Sequence, residues 1–311
     1  MTIRALLHRQ IHSHPMDRRE AGLLPDRGIF SSASSKRRAF IKTHGLGNDF
    51  VVIDGREEPF SPSPETIRWV CDRHTGIGGD QLLVIEPPSS AAADIRLRIY
   101  NIDGAEAKAC FNATRCASWL IMEEKAADTV AVETLGGTIE AARAGEYRVS
   151  LHIEGIHSDW QSIPLAGPLS QAGTTLENGP LRNPFAINPG NPHLVYFVPE
   201  RDALDVAALA EPVQKSPYLP QQANINVAEI VAEGHIRLIV YERPGILTQA
   251  CGSGACATVL AAHKRGLMQS MQARVDMPGG SLDVRIIGKN AVLLTGDVAI
   301  SFYGISAREL I

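Results

Sequence analysis

The run ACGSGAC occupies residues 250–256 and lies between two apolar segments of different character. The segment before it, residues 236–241, is a short apolar run that predicts a buried strand, and the alanine-rich segment 255–263 predicts a helix. A cysteine at such a junction, followed by Gly-Ser-Gly, lies beside several free backbone N–H groups. We therefore expect an anion-binding site at Cys251, and a thiol that loses its proton easily.

The same arrangement occurs a second time, earlier in the chain. The run ACFNATRCA at residues 109–117 follows a predicted strand at 95–100 and opens an apolar segment at 116–122. The two leading cysteines, Cys110 and Cys251, are 141 residues apart, nearly half the chain. A repeat on this scale predicts two related halves, each presenting a cysteine at a helix N-terminus.

Two facing thiols on a pseudo-symmetric frame suit the inversion of an amino-acid stereocentre. One cysteine, as the thiolate, removes the Cα proton, and the other, as the thiol, delivers a proton to the opposite face. The two helix N-termini would bind the substrate carboxylate and stabilise the charge that moves onto it. The sequence thus points to an enzyme that inverts an amino-acid stereocentre.

Composition narrows the class of protein further. The chain has 311 residues, of which 44% are hydrophobic and 21% charged, so it can bury substantial cores. The net charge of −4 argues against a nucleic-acid partner, and no apolar run is long enough to span a membrane. Five cysteines, four of them in two matched pairs, favour reduced thiols in a cytoplasm over a disulfide framework.

The chain divides into a tail and two halves. Residues 1–38 carry eight basic and three acidic residues, which favours a disordered tail or a mis-assigned start codon over a transit peptide. Residues 39–155 with 300–311 form the predicted N-terminal half with Cys110, and residues 156–299 form the half with Cys251. We expect a strand-rich α/β chain with one long helix per half, further helices at 64–72 and 201–212, and a strand at 227–231.

Several motifs in one order make this chain similar to the diaminopimelate epimerase family, which uses two cysteines and no cofactor. The resemblance runs from about Phe40 to Tyr303. It is carried by HGLGNDFVVID (44–54), CDRHTGIGGDQ (71–81), RIYNIDG (98–104), ACFNATRCA (109–117), GNPH (190–193), NINVAEI (224–230), YER (241–243) and TQACGSGACA (248–257).

The resemblance implies a fold, a reaction and a set of site residues. The fold would be two similar α/β halves, each a barrel-like, mostly antiparallel sheet around a central helix, with the site in the cleft between them. The reaction would be epimerisation of LL- to meso-diaminopimelate, a diamino dicarboxylic acid, without pyridoxal phosphate or a metal. A homodimer is a further expectation. The implied acid–base pair is Cys110 and Cys251; the implied substrate contacts are Asn48, Gln81, Asn101, Asn191, Asn226, Glu242 and Arg243, with the backbone N–H groups of Phe111, Asn112, Gly252 and Ser253; the groups implied to tune the cysteines are His193 and Glu242.

Two departures from the family pattern leave the substrate open. Phe111 stands where the family usually has glycine, and Pro244 to Ile246 replaces the usual Gly-x-Gly after the Glu-Arg pair. A glycine position that needs a positive φ or a close approach of the substrate would tolerate Phe111 poorly. A racemase of the same fold acting on another amino acid, or a weakened homologue, is therefore an alternative.

The remaining cysteines and histidines have simpler interpretations. Cys116 and Cys256 lie one to two turns inside their predicted helices and, like Cys71, are expected to be buried fillers. The spacings within the two pairs do not match the usual two-residue metal knuckles, which argues against a metal site or a four-cysteine thiol switch. His44 is expected to be structural.

Overall fold

The computed structural model describes residues 37–306 and 309–310, so all but the last two residues of the predicted tail lie outside the described residues. Four α-helices occur in the described ranges: α1 (Pro64–Cys71), α2 (Phe111–Lys125), α3 (Val206–Gln214) and α4 (Gly252–Lys264). The strands there are β1 (Ala39–Gly45), β2 (Asn48–Asp54), β3 (Gln81–Glu86), β4 (Ile95–Asn101), β5 (Glu106–Ala107), β6 (Thr129–Thr134), β7 (Gly137–Gly145), β8 (Arg148–Ile153), β9 (Phe185–Ile187), β10 (His193–Phe197), β11 (Asn224–Ala232), β12 (His235–Glu242), β13 (Ile246–Leu247), β14 (Gln272–Met277), β15 (Gly280–Gly288), β16 (Ala291–Asp297) and β17 (Ala299–Ile305).

The two halves repeat the same strand pairing in the same order. In the first half, β2 runs parallel to β3, β3 is antiparallel to β4, and β4 pairs with both β5 and β6 before the antiparallel run β6–β7–β8. In the second half, β10 to β16 repeat these pairings strand for strand. The predicted α/β fold with two pseudo-symmetric, mostly antiparallel halves is confirmed.

Two antiparallel pairings involve the ends of the halves. Strand β8 pairs with β16, which joins the halves into one continuous sheet. The C-terminal strand β17 returns to pair with β1. The division of the chain near residues 155 and 300 stays a prediction, and the return of β17 to the first half is consistent with it.

The helices α2 and α4 lie at the centre of their halves. Each is buried almost all round, because the curved sheet covers every face of the helix. Their apolar side chains belong to one hydrophobic cluster that also includes residues of both halves of the sheet. The two helices are therefore held in a shared core, which fixes the position of their N-termini.

Each half carries one long central helix, as expected, and a second, shorter helix. Helix α1 begins after Ser63, whose hydroxyl accepts the Thr66 N–H at 3.1 Å, and it covers a separate apolar cluster. Helix α3 begins at Val206 rather than 201, because the Asp205 carboxylate accepts the Ala208 N–H at 3.1 Å and caps it there. Only a 3₁₀ turn occupies residues 201–203.

The strand predicted at 227–231 is longer than expected. Strand β11 already begins at Asn224 and ends at Ala232, since β10 and β12 pair with its first residues on both sides. Asn224 and Asn226 are thus buried strand residues instead of loop residues. This places two amide side chains inside the sheet, where each needs a hydrogen-bond partner.

Candidate active site

Cys110 and Cys251 occupy equivalent positions, as the N-cap residues of α2 and α4. Both have extended backbone angles, with φ of −146° and −131°, so the helices begin at the residues that follow them. The Sγ of Cys251 accepts the Gly254 N–H at 3.3 Å and caps its helix. Within the described residues the side chain of Cys110 makes no matching capping hydrogen bond, and it is less deeply buried than that of Cys251.

The two helix N-termini meet across the boundary between the halves. A Cβ added to Gly252 would lie 3.0 Å from the Cβ of Phe111, so the first residues of α2 and α4 are in contact. The Asn112 Nδ2 donates to the carbonyl of Ala250 at 3.1 Å, directly before Cys251. The tertiary structure therefore brings the two cysteine motifs, 141 residues apart, to one place.

Phe111 fits this contact without backbone strain. It is the first residue of α2 and does not have a positive φ. Its ring packs towards Gly190 of the other half, where a Cβ would lie 3.9 Å from the ring, and Gly252 leaves room for it at the opposite helix. This position therefore does not need glycine for its φ, and Gly252 provides the close approach of the two helices; a close approach of the substrate at Phe111 stays a prediction.

Burial makes both thiols reluctant to ionise, so the expectation of an easily lost proton was wrong. Burial raises the pKa of Cys110 to about 11, although the N–H groups of Ala113 and Asn112 oppose the increase. Burial, followed by the nearby Glu242 carboxylate, raises the pKa of Cys251 well above its usual range. Removal from water outweighs the favourable helix N-terminus at both sites.

Glu242 is the group that connects the two thiols electrostatically. Its side chain hydrogen-bonds to Cys251, and its carboxylate also raises the pKa of Cys110. Thr248 Oγ1 donates to Glu242 Oε1 at 3.2 Å. Burial in turn raises the pKa of Glu242 itself, so this carboxyl group holds its proton more tightly than an exposed one.

His193 is fully buried beside the second cysteine and is neutral at physiological pH. Burial lowers the pKa of His193 to about 4. Its Nδ1 lies 2.8 Å from Asn226 Oδ1, and its Nε2 lies 3.0 Å from Ser253 Oγ, which is 3.5 Å from Cys251 Sγ. The imidazole thus reaches Cys251 through the Ser253 hydroxyl.

Asn226 orients this imidazole. Its Nδ2 donates to the Gly254 carbonyl at 2.9 Å and to Thr258 Oγ1 at 3.0 Å, so its Oδ1 faces His193. Nδ1 of the ring then carries the hydrogen, and Nε2 can accept from Ser253. Asn226 is fully buried with all of these bonds made, which favours a positioning role over the direct substrate contact predicted for it.

Asn191 lies beside His193, and Gln81 and Asn101 form a separate pair of amides on β3 and β4. The Asn191 side-chain amide lies 3.1 Å from His193 Nε2, to which its nitrogen can donate. Gln81 and Asn101 face each other across β3 and β4, and Gln81 Nε2 donates to Asn101 Oδ1 at 2.8 Å. The buried Gln81 Oε1 has no hydrogen-bond partner in the described part of the chain. A buried acceptor in this state is a suitable partner for an ammonium group.

Arg243 lies at the exposed edge of the site. It belongs to a tight turn closed by the Gly245 N–H, which donates to the Glu242 carbonyl at 2.7 Å. Its backbone N–H donates to Asn224 Oδ1 at 3.0 Å, and its Nη1 donates to the Gln221 carbonyl at 2.9 Å. Although Pro244 to Ile246 replaces the Gly-x-Gly pattern, the guanidinium of Arg243 still lies at the exposed edge of the site. Its remaining N–H groups can donate to a substrate.

An ion-pair cluster beneath Asn48 was not anticipated. Arg73 donates to both Asp49 and Asp80, and Lys42 pairs with Asp49. Asp80 Oδ2 accepts from Asn48 Nδ2 at 2.8 Å, which turns Asn48 Oδ1 towards Cys110 Sγ, 3.8 Å away. The charges within HGLGNDF and CDRHTGIGGDQ were the available signal, but only the fold pairs them.

The remaining cysteines are buried, as predicted. Cys116 and Cys256 belong to the shared core and Cys71 to the cluster under α1, and all five cysteines are free thiols. Residues 37–306 and 309–310 contain no cluster of His, Cys, Asp or Glu that could hold a metal ion. None of the helices there has the length and apolar character needed to cross a membrane.

Solved structures with the same fold indicate the structural class of this protein. It is shared with a hydroxyproline epimerase from Agrobacterium vitis, with a TM-score of 0.63, 16% identity, and coverage of 88% of this chain and 94% of that one. A PhzF-family phenazine biosynthesis protein from Enterococcus faecalis matches with a TM-score of 0.61 at 14% identity, over 86% of this chain and 98% of its own. At these identities the likeness shows a shared two-half fold.

The sequence comparisons identify the family within that class. The family model for diaminopimelate epimerase matches residues 40–151 and 185–300. Diaminopimelate epimerases from Rhodospirillum centenum and Sphingopyxis alaskensis are 40% and 42% identical to this chain, over 88% and 85% of its length and 94% and 96% of theirs. The chain belongs to the diaminopimelate epimerase family, and the resemblance found in its motifs is confirmed.

Proposed function

We propose that this protein epimerises LL-2,6-diaminopimelate to meso-diaminopimelate, a reaction of lysine and peptidoglycan precursor synthesis, with Cys110 and Cys251 as the acid–base pair. The observation that carries the proposal is the meeting of two N-cap cysteines at adjoining helix ends in a chain of this family. A pair of thiols at such a boundary can address one carbon from opposite sides.

The proposed reaction balances within the two thiols. The thiolate of one cysteine takes the Cα proton and becomes a thiol, leaving the electron pair on the substrate. The thiol of the other cysteine then gives its proton to the opposite face of Cα and becomes a thiolate. The backbone N–H groups of residues 111–112 and 252–253 would hold the carboxylate that accepts the transient charge.

Substrate binding would supply the nearby positive charge that the buried thiols lack. Both cysteines favour the neutral form, because burial and Glu242 raise the pKa of each thiol. An α-ammonium group bound beside a thiol adds a positive charge, which favours the thiolate. We infer that ionisation of the attacking cysteine accompanies binding of the zwitterionic substrate.

The distal ammonium and carboxylate groups of a diamino diacid need binding residues of their own. Gln81 Oε1 is a buried acceptor without a partner among the described residues and suits the distal ammonium group. Arg243, at the exposed rim, can present a guanidinium fork to the distal carboxylate. We assign Asn101, Asn191 and Asn48 to further contacts with the substrate, and Asn226 and His193 to the support of Cys251.

Three further assignments accompany the proposal. The reaction would need no pyridoxal phosphate and no metal, since the two thiols supply both proton transfers. A cytoplasmic location follows from the use of free thiols. A homodimer stays a prediction, which the molar mass from light scattering at micromolar concentration would test.

The proposal is tested by following LL-diaminopimelate with purified protein free of pyridoxal phosphate. Chiral chromatography should show conversion to the meso isomer, and in D₂O the product should carry deuterium at the inverted carbon. A panel of glutamate, histidine and proline serves as the comparison and should show no exchange. Rapid α-deuteration of one of these with no reaction of diaminopimelate would overturn the assigned substrate.

The pH dependence of kcat/KM should show the ionisation of a thiol and no ionisation of an imidazole. Because the pKa of Cys110 is about 11 and that of Cys251 is also raised, the reactive thiolate is scarce at neutral pH. We expect kcat/KM to rise by about tenfold per unit between about pH 6 and 7.5. The low pKa of His193, about 4, keeps that ring neutral throughout the range. An inflection near pH 6.5 in the measured profile would contradict this account.

A further inference from the structure

Arg115 is a buried cation that the proposed reaction leaves without a role. It lies five residues after Cys110 on α2, and its side chain is fully buried. Its Nη2 donates to Asn112 Oδ1 at 2.8 Å, whereas its Nε and Nη1 have no partner in the described residues. Burial lowers the pKa of this guanidinium, and the groups that oppose the shift are Cys116, Cys110, Cys256 and Asp297.

No ion pair within the described ranges accounts for the burial of this charge. The carboxylate of Asp297 is paired with Arg148 on the protein surface. The other three groups that act on Arg115 are thiols. Burying a cation with only one hydrogen bond lowers the stability of the folded protein. We therefore expect the single hydrogen bond from Arg115 to Asn112 to have a role of its own.

The fold makes room for the guanidinium at two glycines. A Cβ on Gly45 would lie 3.2 Å from Arg115 Nη2, and a Cβ on Gly296 would lie 3.1 Å from Nε. Helix α4 has no matching charge, since counting from the cysteines places Cys256 at the equivalent position. Of the two central helices, only α2 therefore carries an arginine at this position.

Arg115 determines how the Asn112 amide is oriented. Because the guanidinium can only donate, it holds the oxygen of Asn112, and the amide nitrogen must face the other way. That nitrogen donates to Asn48 Oδ1 at 3.1 Å and to the Ala250 carbonyl at 3.1 Å. Asn112 therefore reaches the neighbour of Cys110 in one half and the residue before Cys251 in the other.

The far end of this chain of amides is fixed by a charge of opposite sign. Asp80, which Arg73 holds at 2.8 Å, accepts from Asn48 Nδ2 at 2.8 Å. Asn48 is thus oriented from both sides, and its Oδ1 lies 3.8 Å from Cys110 Sγ. A line of hydrogen bonds runs from Arg115 through Asn112 and Asn48 to the first cysteine, with a branch to the Ala250 carbonyl before the second.

We propose that Arg115 is a positioning residue for the reaction, acting through Asn112 to hold Asn48 beside Cys110 and the Ala250 carbonyl before Cys251. The inference rests on the proposed two-cysteine function. It assigns to one buried guanidinium the relative placement of two thiols that lie in different halves of the molecule. Loss of the guanidinium should impair the proton transfers more than the binding of substrate.

A double-mutant cycle tests this assignment. We expect Arg115→Met and Asn112→Ala each to lower kcat by about 30-fold or more with KM within about threefold, and the double variant to be no worse than the more damaging single variant. Additive losses would show that Arg115 does not act through Asn112 and would overturn the proposal. Arg56→Met is the control, because Arg56 pairs with Asp54 and Glu124 away from the site, and it should leave kcat unchanged.

A measurement without turnover separates this inference from the proposed function. Iodoacetamide labelling, mapped by mass spectrometry at about pH 8, should show Cys110 slowed by about threefold or more in Arg115→Met and Cys251 changed by less, because Cys110 loses both a nearby cation and the hydrogen bonds that hold Asn48 beside it. Unchanged labelling of Cys110 in the folded variant would contradict the proposal even if diaminopimelate is not the substrate. If Arg115→Met does not fold, Arg115→Lys keeps the charge but loses the fork; it should retain Cys110 labelling and lower kcat by several-fold, and wild-type kcat would overturn the proposal.

Discussion

Replacement of either Cys110 or Cys251 by alanine should lower kcat/KM for epimerisation by about 10³-fold or more, because each stereochemical direction needs one thiolate and one thiol. Among the described residues no ionisable side chain hydrogen-bonds both thiols, and Glu242 hydrogen-bonds only Cys251. The measurement is the initial rate of meso-diaminopimelate formation from the LL isomer. The single variants should still fold, since each loses only one sulfur atom.

Cys71→Ala is the matched control for the cysteine variants. Cys71 is also a buried thiol, and burial raises its pKa to about 11, but it lies in the separate cluster under α1. Its replacement should leave the epimerisation rate within about threefold of wild type. A double Cys110→Ala, Cys251→Ala protein that still inverts the substrate would refute the two-thiol mechanism, whatever the single variants do.

The second large effect is expected from Glu242→Gln, which should separate activity from thiol reactivity. The carboxylate is buried against Cys251 and raises the pKa of that thiol. Removing its charge should therefore lower the pKa of Cys251 and speed its alkylation, while the altered acid–base balance lowers kcat by about 10²-fold. Both quantities can be measured on the same preparation, by turnover and by mass-mapped labelling at about pH 8.

The sign of the labelling change decides what Glu242 does. If Glu242 only supports the structure, Glu242→Gln should leave the ratio of Cys251 to Cys110 labelling unchanged. Slower labelling of Cys251 would contradict the electrostatic assignment. Glu233→Gln is the control, because this carboxylate accepts backbone N–H groups of residues 269 and 270 in an exposed loop, and its loss should alter neither quantity.

The sequence predicted the elements that carry the reacting groups. A cysteine before Gly-Ser-Gly or Phe-Asn, between an apolar strand and an apolar helix, has one simple local structure, the helix N-cap. The two copies of this plan predicted the two halves, and the motifs predicted the family. The pattern was less informative for the start of α3, because capping by Asp205 sets it at a place that periodicity alone does not mark.

The protonation state of the site could not be predicted from the sequence. A helix N-terminus favours a thiolate, and this local argument suggested that both cysteines ionise readily. Burial between the two halves has the larger and opposite effect, and it depends on packing among residues far apart in the chain. The neutral state of His193 has the same origin, since its pKa of about 4 follows from complete burial.

The sequence by itself determined the family, the two-half fold and the two cysteines at helix N-termini, because each follows from short-range patterns that repeat along the chain. Only the tertiary structure decided that Phe111 rests against Gly252, that Asn226 supports His193, and that Arg115 and Asp80 orient the amides between the thiols. The physical reason is that hydrogen-bond partners and burial are set by residues brought together from both halves, and neither is encoded by any one segment.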